Sequence, residues 1–339
     1  VLTIDGALGE GGGQILRTSL ALSLYLGTPF RIVNLRAARK NPGLARQHLQ
    51  AINAAAQISA AQLTGNCLGS QELTFIPGPV RPGHYRFDIG TAGSTTLVLQ
   101  SVLPALSMAD GPSTLELQGG THNPFAPPFD FLEKAFLRIL NRMGPTVQAR
   151  LERYGFYPKG GGKISITIHP AKSLQALQLD RPGEIRSRSA TAVIAGLPCH
   201  IAERELGVIG RVLNWSEQFL HLREEAPETG PGNALIIEIE CEHVTEVFSA
   251  FGQRGVRAEV VARQAAHAAR RYLKVGVPVG EYLADQLLLP LALAGGGSFN
   301  TLRPTLHTQT NIEVIANFLD VKIVMEELGE DVWHITIGK

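Results

Sequence analysis

Gln100-Ser101-Val102-Leu103-Pro104 and Gln286-Leu287-Leu288-Leu289-Pro290 share one pattern, Q-x-x-L-P, and its repetition decides the fold. Eleven residues after each glutamine comes a glycine, Gly111 in one copy and Gly297 in the other. A strand-like run follows both, Ser113 to Leu117 and Ser298 to Leu302. Beyond each strand stands a polar residue with chemical potential: His122 with Asn123 in the first copy, His307 in the second. The N-terminal segment follows the same plan more loosely. Its helix, Ile15 to Leu26, turns at Gly27, continues as the strand Phe30 to Leu35 and delivers Arg36 and Arg39. Three copies of helix, glycine turn, strand and reactive side chain predict a mixed α/β fold whose strand ends gather into one cleft.

The helices between these landmarks are legible. Ile15 to Leu26 is apolar around most of its circumference, as in a helix packed between layers. Pro42 to Leu63 is alanine-rich, with Leu44, Leu49, Ile52, Ala55 and Ile58 on one stripe. Its proline falls in the first turn, where a missing N–H costs nothing. Phe129 to Met143 is a third helix, with Asp130 near the positive end of its dipole. Between about Asp180 and Val279 the texture changes. Ile185 to Ile194 reads as a strand and Cys199 to Leu213 as a helix. Leu220 to Arg223 and Ala234 to Glu240 read as strands, and Val256 to Leu273 as a long helix. The simplest organisation is a smaller α+β domain, residues 181–279, inserted into a larger repeat domain made of residues 1–180 and 280–339.

Composition narrows the class. In 339 residues, 44% hydrophobic and 18% charged excludes a disordered chain. The greasiest run, Leu287 to Ala294, contains Pro290 and falls well short of the roughly 18 apolar residues of a membrane span. A formal charge of +1 gives no global basic surface, yet from Gly11 to Gln71 there is no acid, while Arg17, Arg31, Arg36, Arg39, Lys40 and Arg46 lie inside. That strip is either a solvated basic face or a local polyanion site. Cys67, Cys199 and Cys241 are odd in number, widely separated and without a CxxC, which predicts a reducing compartment and no zinc ribbon. With no charged-then-apolar leader before Val1, a cytoplasmic location is expected. Glycine is the outlier: 36 residues, about 11% against a usual value near 7%.

Gly9-Glu10-Gly11-Gly12-Gly13-Gln14 follows the strand Leu2 to Asp5 and opens a helix, a setting in which backbone N–H groups bind anions. A phosphate cradle and a tight turn both fit it; a P-loop and a Rossmann fingerprint do not. Glu10 favours the cradle, because a carboxylate among phosphates calls for a divalent cation between them. Gly160-Gly161-Gly162, after Tyr154 to Lys159, fits a hairpin bend or a close strand crossing better than a phosphate loop. His307 stands at a repeat position and its imidazole lone pair is free to attack phosphorus at neutral pH. Asp285 reads either as a helix cap or as a metal or ribose contact. Pro124, Pro127 and Pro128 with Phe125 and Phe129 form a rigid apolar elbow, either loop packing or a wall for a nucleobase opposite Tyr282. No Ser/His/Asp triad, HExxH or zinc spacing is present.

Asp5-Gly6, Gly9 to Arg17, Arg36-Ala37-Ala38-Arg39 and Pro42-Gly43-Leu44-x-x-Gln47-His48 together resemble the RNA 3′-terminal phosphate cyclase family. The likeness runs on through Gly93-Ser94, Gln100, Gly119-Gly120-Thr121-x-Asn123, Gly155-Phe156-Tyr157-Pro158-x-Gly160-Gly161-Gly162 and Asp285-Gln286 to His307, essentially the whole chain in order. It implies a large domain of three small α/β units like the C-terminal domain of translation initiation factor three, plus the inserted α+β domain. It implies conversion of an RNA 3′-phosphate to a 2′,3′-cyclic phosphate, with ATP as co-substrate, Mg2+ or Mn2+ as the metal, and AMP and pyrophosphate as products. His307 would be the nucleophile that becomes adenylated. Glu10 would hold the metal with the nucleotide, and Gln100, Pro127, Tyr282, Leu283, Ala284, Asp285 and Gln286 would line the nucleotide. Arg17, Arg36, Arg39 and His48 would hold the RNA phosphate. One departure is Ala37-Ala38, where the resemblance leads one to expect a glycine; both arginines are kept. Two other classes remain: a non-catalytic RNA-processing or scaffold relative, which would lack the nucleophilic histidine, and a transferase of small phosphorylated metabolites, against which the basic strip speaks.

Overall fold

The computed structural model describes residues 1–338, and in it one four-stranded motif is built three times. In the first unit β1 (Leu2–Asp5), α1 (Gly13–Leu26), β2 (Phe30–Val33), α2 (Arg46–Ser59), β3 (Gln62–Thr64) and β4 (Leu73–Ile76) follow in the chain, with sheet order β1-β2-β4-β3. β1 and β2 are parallel across the α1 crossover, and the remaining pairs are antiparallel. The second unit repeats this with β5 (His84–Asp88), α3 (Thr95–Leu106), β6 (Ser113–Gly119), a π-helical turn Phe131–Phe136 leading into α4 (Leu137–Arg142), β7 (Thr146–Arg153) and β8 (Gly162–His169). Its order is β5-β6-β8-β7, the same topology. The third unit begins with the two residues of β9 (Gln178–Leu179) and is then interrupted.

The interruption holds β10 (Ile185–Ala195), α5 (His200–Leu213), β11 (Leu220–Glu225), β12 (Gly232–Cys241), β13 (Thr245–Phe251) and α6 (Ala258–Val275). Here the order is β11-β10-β12-β13, so the first strand is central rather than at an edge, and this sheet is not a fourth copy of the motif. The third unit resumes with α7 (Glu281–Leu293), β14 (Gly297–Thr301), α8 (Leu306–Phe318), β15 (Lys322–Gly329) and β16 (Val332–Gly338). β9 pairs parallel with β14, and β14 and β15 flank β16, which restores the repeated topology.

α1 is the hub. It packs against α2, α3 and α8, and residues on every side of it are buried. Its Ser19 and Ser23 enter the core at little cost, because their hydroxyls donate to Ile15 O (2.7 Å) and Thr28 O (2.6 Å). β8 shows the alternation that a one-sided sheet needs, with Ile164, Ile166 and Ile168 buried and the intervening residues half-buried.

Three sequence expectations are corrected. The helix expected over Pro42 to Leu63 is shorter, Arg46–Ser59. Gly43 takes φ +79° and donates to Leu35 O (2.9 Å), which holds the proline in a loop, and Ala60 ends the helix in the left-handed region before β3. The helix expected over Phe129 to Met143 opens as a π turn, and Asp130 accepts from His122 Nε2 (2.8 Å) instead of serving only the dipole. The strand Phe30 to Leu35 stops at Val33, since Asn34 and Arg36 both adopt positive φ.

Two seams stand out among the contacts that hold the interrupting segment. Lys134, Arg138 and Arg142, one helical turn apart, reach Glu238 (2.6 Å), Glu240 (2.7 Å) and the His243 carbonyl (2.5 Å). On the other side buried Glu246 accepts from the Gly280 N–H (2.5 Å), the residue that caps α7. Within the segment, fully buried Glu205 accepts from Asn233 Nδ2 at 2.9 Å, but its second oxygen has no partner. Burial pushes this carboxyl up to about 7. The folded chain thus keeps a proton that the unfolded chain loses near pH 4.5, so stability falls as pH rises from there to about 7. Glu205→Gln is expected to remove that slope. Urea unfolding should show the variant stabilised over the parent by roughly 1–3 kcal/mol at pH 8.5 and by nothing at pH 4.5.

Candidate active site

The first turns of α1, α7 and α8 and the side of α3 open on a cavity of about 850 Å3, at the upper end of the range for small-molecule sites. α1 enters it with an uncapped, acid-free N-terminus, at which Gly12, Gly13 and Gln14 form the wall. Four unpaired N–H groups and the positive dipole end make this an anion site. Gly9 and Gly11 take φ +51° and +59°, and a side chain at Gly9 would strike Thr310 Oγ1 at 2.1 Å. Glycine is therefore required for the loop to close on α8. That closure, with the Glu10 N–H donating to Thr310 Oγ1 (3.0 Å), carries Glu10 to His307.

His307 lies in the first turn of α8, after the cap Thr305, whose hydroxyl accepts from the Thr308 N–H. Its Nδ1 is 2.9 Å from Glu10 Oε2 and 2.8 Å from Gln14 Oε1. Both neighbours are acceptors, so Nδ1 carries the proton and the lone pair is on Nε2. The hydrogen bond to Glu10 raises the imidazole above its ordinary value, and the same bond holds the Glu10 carboxyl below its own. Glu10 also pairs with Arg39.

Behind this pair runs a polar chain through all three units. Gln14 donates to Asp285 Oδ1 (2.5 Å), Gln286 donates to Asp285 Oδ2 (3.0 Å), Gln100 donates to Gln286 Oε1 (2.5 Å), and Arg17 Nε donates to Gln100 Oε1 (3.3 Å). Asn311, one turn beyond His307, donates to Asp285 and accepts from Thr18 (2.8 Å). Burial raises the Asp285 carboxyl, and the nearby His307, Gln14 and Arg17 oppose that. Asp285 sits in the second turn of α7, with Gly280 as the cap, so the capping alternative is set aside.

The basic wall has an unusual member. His48 is 4% exposed, and its Nδ1 accepts from the Ala45 N–H (3.0 Å). Burial together with Arg17 and Arg36 drives it down to about 3, so it is neutral and presents Nε2–H as a donor. Burial lowers Arg17 to about 10, which leaves it charged at neutral pH. Arg17 makes no carboxylate salt bridge among the described residues, and Arg36, at φ +53°, is braced by the Gly43 carbonyl (2.7 Å). A desolvated guanidinium with no carboxylate in salt-bridge contact and a neutral donor beside it suit a phosphate.

Of the residues singled out in the sequence, Glu10, Arg17, Arg36, Arg39, His48, Gln100, Pro127, Tyr282, Asp285, Gln286 and His307 all line this cavity. Leu283 and Ala284 do not: their side chains are 0% exposed, turned by the helical period into the core. His122 and Asn123 are also misplaced by the repeat reading. His122 is buried between Thr121 Oγ1 and Asp130, stacked 4.7 Å from Tyr154, and Asn123 donates to the Ala92 carbonyl. Phe129 is core, and the cleft is built by helix starts more than by strand ends. Gly160 and Gly162 pack on the backbones of Ala92 and Gly155, the close strand crossing that was expected. No motif or spacing pointed to Val247, Ser249, Phe251 and Gln264, which the interrupting segment brings to the cavity wall. Asn311 had a sign, its four-residue spacing from His307.

Among the described residues no group of three His, Cys, Asp or Glu is arranged to hold a metal unaided. Glu10 is a hard oxygen donor of the kind Mg2+ or Mn2+ takes when its other ligands are phosphate oxygens and water.

A family model described as RNA 3′-terminal phosphate cyclase matches residues 8–325. The chain is 53% identical over 336 residues to an RNA 3′-terminal phosphate cyclase of Ectopseudomonas mendocina (strain ymp), covering 99% of this chain and 98% of that one. It is 52% identical over 327 residues to the protein of that name in Koribacter versatilis (strain Ellin345), covering 96% and 92%. To the one in Salmonella agona (strain SL483) it is 50% identical over 330 residues, covering 97% and 95%.

A Cβ at Gly13 would lie 2.5 Å from His48 Nε2 and 2.9 Å from Arg17 Nη1. Gly13→Ala is therefore expected to fold, by circular dichroism, while calorimetric titration with inorganic pyrophosphate shows affinity down about tenfold or more, the worth of one charge-assisted hydrogen bond.

Proposed function

The chain belongs to the RNA 3′-terminal phosphate cyclase family, an ATP-dependent enzyme family, and on that footing we propose that this site converts an RNA 3′-phosphate to a 2′,3′-cyclic phosphate through a covalent His307–AMP intermediate. The observation that carries the reading is the fixed tautomer of His307, whose Nδ1–H is held by Glu10 and Gln14 at 2.9 and 2.8 Å while Nε2 keeps its lone pair.

In the first step Nε2 attacks the α-phosphorus of ATP, the bond from that phosphorus to the bridging oxygen breaks, and pyrophosphate leaves. The adduct is cationic at the ring, and the Glu10 carboxylate beside Nδ1 offsets that charge. In the second step an oxygen of the RNA 3′-phosphate attacks the same phosphorus, the P–N bond breaks, and the electron pair returns to Nε2. In the third the ribose 2′-oxygen attacks the 3′-phosphorus, its proton passes to solvent, and AMP departs. The last step is intramolecular and gains from proximity; it also requires the hydroxyl that DNA lacks.

The residues divide accordingly. Gln100, Pro127, Tyr282, Asp285 and Gln286 are assigned to the nucleotide, and Arg17, Arg36, Arg39 and neutral His48 to the RNA phosphate. Glu10 is assigned to a divalent cation as well as to His307; when bound, the cation neutralises charge on the triphosphate. Residues 181–279 are taken as an inserted domain that completes the cavity wall. The exposed thiols of Cys67 and Cys199 fit a reducing cytoplasm, and among the described residues no helix is long and apolar enough to cross a membrane. An oriented histidine favours catalysis over a scaffold role.

Incubation with ATP labelled at the α-phosphate, without RNA, should label the protein with an acid-labile, alkali-stable bond. His307→Ala should abolish the label while the fold persists; label retained in that variant sinks the assignment. Because only neutral imidazole attacks, the labelling rate should rise with pH through a midpoint above 6.5 and then level off. Glu10→Gln, which removes the carboxylate that stabilises the imidazolium, should move that midpoint downward. If about three phosphates of single-stranded RNA are gripped, log affinity should fall with log salt at a slope of roughly −2, and a flat response would take the basic wall out of the RNA site.

A further inference from the structure

Phe125 is 99% exposed, yet it stands on the rim of the cavity and its backbone holds φ +63°, a left-handed conformation unfavourable for a bulky residue. The loop that presents it is rigid. Pro124, Pro127 and Pro128 restrict its backbone, Thr96 Oγ1 donates to the Pro127 carbonyl (2.7 Å), and the Phe129 N–H donates to Thr121 O (3.1 Å). At the loop's base His122 Nε2 donates to Asp130 (2.8 Å), which fixes the entry of the chain into the helix that follows. A fixed, strained loop that leaves a whole aromatic face in water is organised for a planar ligand rather than for packing.

The framework indicates which ligand. Asn123 ties the loop to the Ala92 carbonyl, and the next residue, Gly93, packs so closely on Gln47 that a Cβ there would be 3.3 Å from the Gln47 Cβ. Gln47 precedes His48, so the loop that carries Phe125 is tied through Asn123 towards the wall of His48, as it is tied through Pro127 to α3. The other exposed aromatic of the cavity, Tyr282, belongs to α7, one turn before Asp285 and on the side of His307. The cavity thus has two exposed aromatics, Phe125 on the proline loop and Tyr282 on α7, of which only Tyr282 is assigned above to the nucleotide.

We propose that Phe125 is the stacking platform for the 3′-terminal nucleobase of the RNA, whose phosphate is gripped by Arg36, Arg39 and His48; this rests on the cyclase reading of the site. A π face accepts any base, so the platform serves a substrate range that is broad in sequence and prefers purines for their larger area.

The test uses 3′-phosphorylated RNA oligomers ending either in adenosine or in an abasic ribose, with the parent protein, Phe125→Ala and Phe125→Tyr. Labelling of the protein by ATP alone should be the same in all three. With the adenosine-ended oligomer, Phe125→Ala should raise KM about ten- to hundredfold, the worth of one stacked base, and Phe125→Tyr should restore it. With the abasic oligomer the parent should fall to the level of Phe125→Ala, and the substitution should cost nothing further. An equal loss on both oligomers, or an ATP-only labelling step that weakens in Phe125→Ala, would overturn the proposal. Equilibrium binding of the same two oligomers gives the same comparison without turnover. A parent protein that binds RNA base-dependently but neither labels nor cyclises would instead overturn the cyclase reading alone.

Discussion

A half-buried chain of amides and one carboxyl, from Gln14 through Asp285, Gln286 and Gln100 to Arg17, is the constraint on which the rest of the molecule depends. Its members come from the first helix of each of the three units, so the units must meet in one arrangement for any of them to be satisfied. Packing of apolar faces alone would tolerate small slides between units. A network of donors and acceptors at 2.5–3.3 Å does not, because each displaced partner leaves a polar group desolvated. The position of Gln14, and with it the orientation of His307, is a by-product of solving that packing problem.

Repetition explains how much of this was legible. The two Q-x-x-L-P copies placed equivalent glutamines in equivalent helices, and in the fold Gln100 and Gln286 hydrogen-bond to each other across the junction. The same logic failed at His122, because the position after a repeated strand is conserved as a place, not as a direction: the loop there turns inward and the imidazole is consumed by Asp130 and Thr121. Leu283 and Ala284, which the resemblance set on the nucleotide with their neighbours, are turned into the core by the helical period. The strands β3, β4, β15 and β16 and the contribution of β13 to the cavity had no periodic signature strong enough to read. Their placement is set by pairing with partners elsewhere in the chain.

The interrupting segment is attached by charge on one side, and on the other by the buried Glu246 carboxyl and by Arg271, whose guanidinium pairs with Asp331 (2.5 Å). Lys134, Arg138 and Arg142 bind it at a partly exposed seam, where each pair contributes modestly. Glu246 acts differently. It is buried, burial raises its carboxyl to about 8, and it accepts the Gly280 N–H at the start of the helix that carries Tyr282, Asp285 and Gln286. The segment is therefore fastened to the part of the site where a small movement of α7 would be felt by every polar partner of Asp285.

The split third unit has a consequence in time. β9 is two residues long and finds its neighbour β14 only after the whole interrupting segment has been made. As a chain leaves the ribosome, the first two units have all their strands early and form from local pairings, whereas the third waits for a contact of very long sequence separation. His307 is delivered by that third unit, together with Tyr282, Asp285 and Gln286. Chain order thus places the basic wall before the nucleophile, and a chain that has made only its first two units carries a phosphate grip with nothing to react.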